Sequence, residues 1–154
     1  MKALVLTLLF LLTACSEAKI YTKCELASIL KQNRMDGYFG YSLGNWICLA
    51  FHASKYNTHL VIRPNKDSGS NYGIFQINSR YWCKSNQGPT NNLCDMSCSA
   101  FIDDDITDDI ACAKKMVRGE HKMSIWFNGR LRHNTKTWRG EAVVDDYSWI
   151  IPSQ

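Results

Sequence analysis

The order of elements along this chain predicts an α+β fold of two lobes. Three observations carry that expectation. Apolar residues recur at helical spacing before residue 57 and again after residue 106, the stretch from 57 to 78 is rich in β-branched and turn-forming residues, and the cysteine count is even once an export signal is set aside. Helices, a small strand-rich insertion and further helices describe a helical lobe with a small antiparallel β lobe beside it, and a cleft between the two.

Residues 1–18 come first. Lys2 precedes an apolar run from Ala3 to Leu12, and Ser16-Glu17-Ala18 has the small-x-small pattern of a signal-peptidase site. The run is too short to cross a bilayer as a helix, so it reads as a secretory signal peptide, and the protein is expected to be secreted, extracellular and without a membrane span. Cleavage there removes Cys15 and leaves Cys24, Cys48, Cys83, Cys94, Cys98 and Cys112. Six cysteines in a small exported domain imply disulfide bridges. The remaining residues, 19–154, are enough for one domain with a core. The net charge of +4 survives cleavage, because the signal holds one lysine and one glutamate. Mild basicity suits an anionic bacterial wall, and no basic-aromatic array points to nucleic acid.

In the mature chain, Leu26, Ile29 and Leu30 predict a short amphipathic helix that Asp36-Gly37 ends. Ser42 is placed to cap a second helix, whose apolar face is Leu43, Trp46, Ile47, Ala50 and Phe51. Asp67-Ser68-Gly69-Ser70 reads as a turn before a strand from Tyr72 to Ile77. A loop with Gly88-Pro89 and three cysteines follows. The third helix is expected from Ile106 to Val117, with Ile106, Ile110, Ala113 and Val117 on one face. A fourth, shorter element is expected around Met123 to Phe127, after which the periodicity fades.

Several segments together resemble the C-type lysozyme and α-lactalbumin family: Lys23-Cys24-Glu25-Leu26-Ala27, Gly40 to Trp46, Tyr72 to Arg80, and Cys112-Ala113-Lys114-Lys115. They agree in order from Lys19 to about Trp126, so residues 19–126 are expected to be the lysozyme-like domain and 127–154 a divergent C-terminal segment of it. The resemblance implies a lysozyme-like, disulfide-bridged α+β fold with a carbohydrate cleft. Lysozymes cut peptidoglycan with two carboxyl groups, a protonated acid in an apolar pocket and an ionised partner that stabilises the glycosyl intermediate, and lysozyme is the standard case of that division of labour. In this chain the acid position falls on Ala53 and the nucleophile position on Asn71. A methyl group has no proton to give, and an amide is not a nucleophile at neutral pH. Gln76, Asn78, Tyr81, Trp82 and Trp126 match positions that line sugar subsites, so binding of glycan or peptidoglycan fragments without turnover is expected.

Asp103-Asp104-Asp105-Ile106-Thr107-Asp108-Asp109 holds five carboxylates in seven residues, which repel one another unless a cation sits among them. The run is not an EF-hand: glycine is missing from the sixth position, and Lys114 stands where the bidentate glutamate belongs. It resembles the calcium loop of α-lactalbumins and calcium-binding lysozymes. That resemblance implies side-chain ligands Asp103, Asp108 and Asp109 and carbonyl ligands Ala100 and Asp105, all oxygen donors that favour calcium.

The resemblance also implies disulfides Cys83–Cys98 and Cys94–Cys112. The family's partners for Cys24 and Cys48 fall near His133 and Asp145, neither of which is a cysteine. These two thiols could pair with each other, stay free or bridge another molecule, or the tail could be an altered coding segment, the reading favoured here. The expected function is a secreted, monomeric, calcium-binding lysozyme-like protein without muramidase chemistry. One alternative is an α-lactalbumin-like regulator of a galactosyltransferase, which Phe51-His52 and the aspartate run favour. The other is residual lysozyme activity.

Overall fold

The computed structural model describes residues 18–63 and 68–126. The expected signal, Asp67, Phe127 and the C-terminal segment with His133 and Asp145 lie outside the described residues. Helix α1, Lys23–Gln32, begins at Thr22, whose hydroxyl accepts from the Glu25 N–H while the Glu25 carboxylate accepts from the Thr22 N–H at 2.8 Å. This reciprocal cap satisfies two N–H groups that a helix start otherwise leaves unpaired. Leu26, Ala27 and Leu30 face the core.

Helix α2, Leu43–Ser54, starts at Ser42 as the sequence indicates, with the Asn45 side chain closing the cap. Trp46, Ile47, Leu49 and Ala50 are buried. Phe51 is not: its residue is 39% exposed, contrary to its expected place on the apolar face. It sits in the last turn, where its ring packs on His52 and Tyr56 and lies 3.7 Å beneath the Lys55 ammonium instead of reaching the core. Trp46 anchors the centre of the core, with Tyr41, Phe75 and Trp126 edge-on around it.

The β lobe is an antiparallel sheet in the order β1 (Val61–Ile62), β2 (Asn71–Tyr72), β3 (Ile77–Asn78). Val61 lies opposite Tyr72 and Asn71 opposite Asn78. The single strand expected over Tyr72 to Ile77 is therefore a hairpin. Gly73 at φ 72° and Gln76 at φ 52° reverse the chain inside that stretch. The Gln76 amide holds the reversal by donating to the carbonyls of Gly73 and Leu60. Periodicity read the residues on either side correctly but could not see the left-handed backbone between them.

Past the β lobe, a 3-10 turn at Cys98–Phe101 leads to α3, Thr107–Val117, and a second at Lys122–Trp126 ends the described chain. Helix α3 starts one residue later than expected, because Ile106 is its N-cap. Bridges join Cys83 to Cys98 and Cys94 to Cys112. Cys24 is exposed and Cys48 half-buried, and the two are not bonded to each other. Among the described residues no helix is long and apolar enough to cross a membrane.

Candidate functional site

Ala53 and Asn71 occupy the last turn of α2 and the first position of β2. The Asn71 side-chain oxygen accepts from the Asn78 amide across the hairpin at 2.9 Å, and that amide also donates to the Ser68 carbonyl. Asn78 in turn accepts the Arg80 N–H. The expected nucleophile position and one residue expected to line the sugar cleft are thus joined to each other. His52, the ionisable neighbour of Ala53, is pushed below its ordinary range by burial and then by the Lys55 charge, which favours the neutral imidazole.

The aromatic residues expected in the cleft separate into two kinds. Tyr81 is 47% exposed. Trp82 and Trp126 are largely buried, and the Trp126 indole N–H donates 2.8 Å to the Phe75 carbonyl. Trp126 therefore packs in the core between Trp46 and the hairpin turn, presenting at most an edge. Gln76 is tied into its own turn, and one of its side-chain atoms, Oε1, is buried without a partner.

The acidic loop is the other candidate centre. Asp103 accepts the Asp105 N–H, and Asp105 accepts from both the N–H and the hydroxyl of Thr107, which holds its carboxyl below the usual range. Asp104, absent from the expected ligand set, faces the other way. Its carboxylate meets the His59 imidazole at 2.9 Å, and its carbonyl accepts the Tyr21 hydroxyl, which pins the loop to the chain before β1 and to the N-terminal segment. Nothing in the sequence pattern singled out His59, because the pairing spans 45 positions.

Asp109 decides whether these residues suit a cation. It is 1% exposed, its Oδ1 has no hydrogen-bond partner, and its carboxyl is pushed up from 3.8 to about 8, chiefly by burial and further by Asp103 and Asp108. A buried carboxylate with an orphaned oxygen and two acidic neighbours is a group that a positive ion would stabilise. Asp103 and Asp108 are exposed. No three acidic, histidine or cysteine side chains among the described residues converge on one point. The expected set draws two of its five oxygens from the backbone, and like charges spread apart unless a cation gathers them. The donor chemistry thus fits a hard cation.

The profile of the C-type lysozyme/alpha-lactalbumin family matches residues 19–139. That is thirteen residues past Trp126, so the likeness reaches into the segment read as divergent. Lysozyme C-1 of Mus musculus is 50% identical over 98% of this chain and 97% of its own length. Lysozyme-like protein 2 of Homo sapiens is 48% identical over 91% of this chain and 96% of its own. Among solved structures, a calcium-binding lysozyme from equine milk superposes with a TM-score of 0.68 at 46% identity, covering 70% of this chain and 84% of that one.

Proposed function

Because the chain belongs to the C-type lysozyme/alpha-lactalbumin family, we propose that it is a secreted, calcium-binding member that has lost glycosidase chemistry and keeps a cleft for glycans. The observation that carries this reading is the neutrality of Ala53 and Asn71. Hydrolysis of a β-1,4 bond in this family needs one carboxylic acid to protonate the leaving oxygen and one carboxylate opposite it. Ala53 can do neither, Asn71 stays uncharged, and His52 has a helix position about 100° round from that of Ala53. What remains are hydrogen-bonding groups on Asn71 and Asn78 and the exposed ring of Tyr81, which suit recognition of acetamido sugars without turnover.

Calcium, when bound, would supply the positive charge that the acidic loop lacks. Asp103, Asp108 and Asp109 and the carbonyls of Ala100 and Asp105 would hold it, as the kinship with a calcium-binding milk lysozyme supports. The test is hydrolysis of a chitin oligosaccharide by the mature chain in calcium, beside the double variant Ala53→Glu, Asn71→Asp. An inert parent and an active variant support the reading. Cleavage by the parent overturns it.

One observation favours a second reading. The exposed Phe51 ring, set edge-on to His52 beside Ala53, offers an apolar surface of the kind that a regulator of a galactosyltransferase would need. Lactose formation with glucose as acceptor tests it, and no product at saturating protein removes it.

A further inference from the structure

The turn from Gly73 to Gln76 touches both candidate regions. On one side it meets the acidic loop, where the Ile74 backbone helps to hold the Asp109 carboxyl down against its burial. Gly73 packs so closely there that a Cβ on it would overlap the Phe101 carbonyl oxygen and lie 2.6 Å from Asp109 Oδ1, the oxygen without a partner. On the other side it meets the cleft. The Ile74 carbonyl accepts the buried Ser54 hydroxyl at 2.8 Å, one residue beyond Ala53, and the Phe75 carbonyl accepts the Trp126 indole. Asn71 stands two residues before Gly73 on β2.

The packing of Gly73 against Asp109 and the bond from Ser54 to Ile74 form one contiguous path from the acidic loop, through the turn, to the last turn of α2. The path is short, and Asp109, Ile74 and Ser54 along it are all buried. We infer that a cation held at Asp109 positions the cleft through this turn, with Gly73 and Ile74 as positioning residues and Ser54 as the link to α2. The inference rests on the calcium reading above. Gly73 is required twice over: by its φ of 72°, which side chains other than glycine rarely adopt, and by the absence of room for a Cβ. Coupling of this kind is reciprocal, so whatever orders the turn also tightens the metal site.

Amide hydrogen exchange on the full mature chain, with calcium as the probe against a chelator, tests the coupling. Calcium is expected to slow exchange at Ile74, Phe75, residues 50–54 and the Trp126 indole by about tenfold more than at Leu30 in α1, whose exchange reports stability elsewhere in the domain. Ser54→Ala should still bind calcium yet lose the added protection at residues 50–54. Gly73→Ala should weaken calcium binding at least tenfold, and if that variant does not fold the serine variant carries the test. Calcium bound with protection confined to residues 100–112, or a serine variant identical to the parent, overturns the inference alone. No calcium binding at all overturns it together with the calcium reading.

Discussion

The acidic loop and the cleft meet at the same hairpin turn and treat charge in opposite ways. In the loop, Asp109 is a carboxylate that the interior penalises and that the chain nevertheless carries, with Asp103 and Asp108 beside it. At the cleft, the two positions that the resemblance assigns to the carboxyl groups hold a methyl and an amide, and the amide oxygen accepts from Asn78. A buried charge costs stability unless a partner compensates it. The loop's charge therefore makes sense toward an ion, whereas the cleft, on the proposed function, has shed the charges that only a reaction would require.

The largest expected effect would break that comparison on the cleft side. Ala53→Glu with Asn71→Asp restores an acid and a carboxylate, and a positioned general acid typically contributes about 10²–10⁴-fold in rate. The Asn78 amide that now donates to Asn71 can donate equally to an aspartate there. Turnover of a chitin oligosaccharide is expected to rise by at least that range over the parent. A double variant as inert as the parent would mean that the cleft has lost more than its two carboxyl groups.

A second prediction concerns the loop without its ion. The Asp109 carboxyl lies at about 8 in the folded chain against an ordinary 3.8. Between those values the folded state holds a proton that the unfolded state has released, so stability falls as pH rises, by at most about 1.4 kcal/mol per pH unit for one group. Urea unfolding in chelator should therefore give a lower midpoint at pH 8 than at pH 5. Asp105, held down by Thr107, acts in the reverse sense, and its contribution is lost only as pH falls below its ordinary 3.8. Equal midpoints at pH 5 and pH 8 would show that Asp109 is not the strained group described here.

Calcium should then reverse the trend. An ion that binds only the folded chain stabilises it by about 2.7 kcal/mol at a hundredfold excess over its Kd. The gain should be greater at pH 8 than at pH 5, because a proton no longer competes for Asp109. Asp109→Asn should abolish the calcium-dependent rise in Tm while raising the stability of the calcium-free chain at pH 8. Retention of the full calcium effect by that variant would move the ion elsewhere.

How much of this was legible beforehand depends on the reach of each interaction. Helices α1 and α2 follow from spacing that acts within a few residues, and Ser42 announced its cap. The Thr22-x-x-Glu25 cap is equally present in the sequence, as the pattern that marks a helix start. The acidic run was plain as composition, but the feature that gives it meaning, one orphaned oxygen on Asp109, depends on burial beneath a hairpin 36 positions earlier. The hairpin itself was read as one strand, since alternation does not reveal that Gly73 and Gln76 have positive φ. Phe51 lies about 40° beyond Ile47 around the helix, at the edge of the buried face, so apolar spacing alone did not reveal its exposure.

The smallest expected effect sharpens the comparison by standing outside both regions. Thr22→Ala removes the hydroxyl that accepts the Glu25 N–H and leaves the Glu25 carboxylate with the Thr22 backbone N–H alone. Loss of such a cap typically costs about 1 kcal/mol. In a domain of this size that is a fall in Tm of about 4 °C. Calcium affinity and the activity of the double cleft variant should not change, since α1 contributes no residue to the loop, the turn at Gly73 or the cleft. A calorimetric scan with and without calcium should show the same increment in the cap variant as in the parent. If the increment shrinks with the cap, calcium is stabilising the domain as a whole and its effect does not run through Asp109 and the turn it touches.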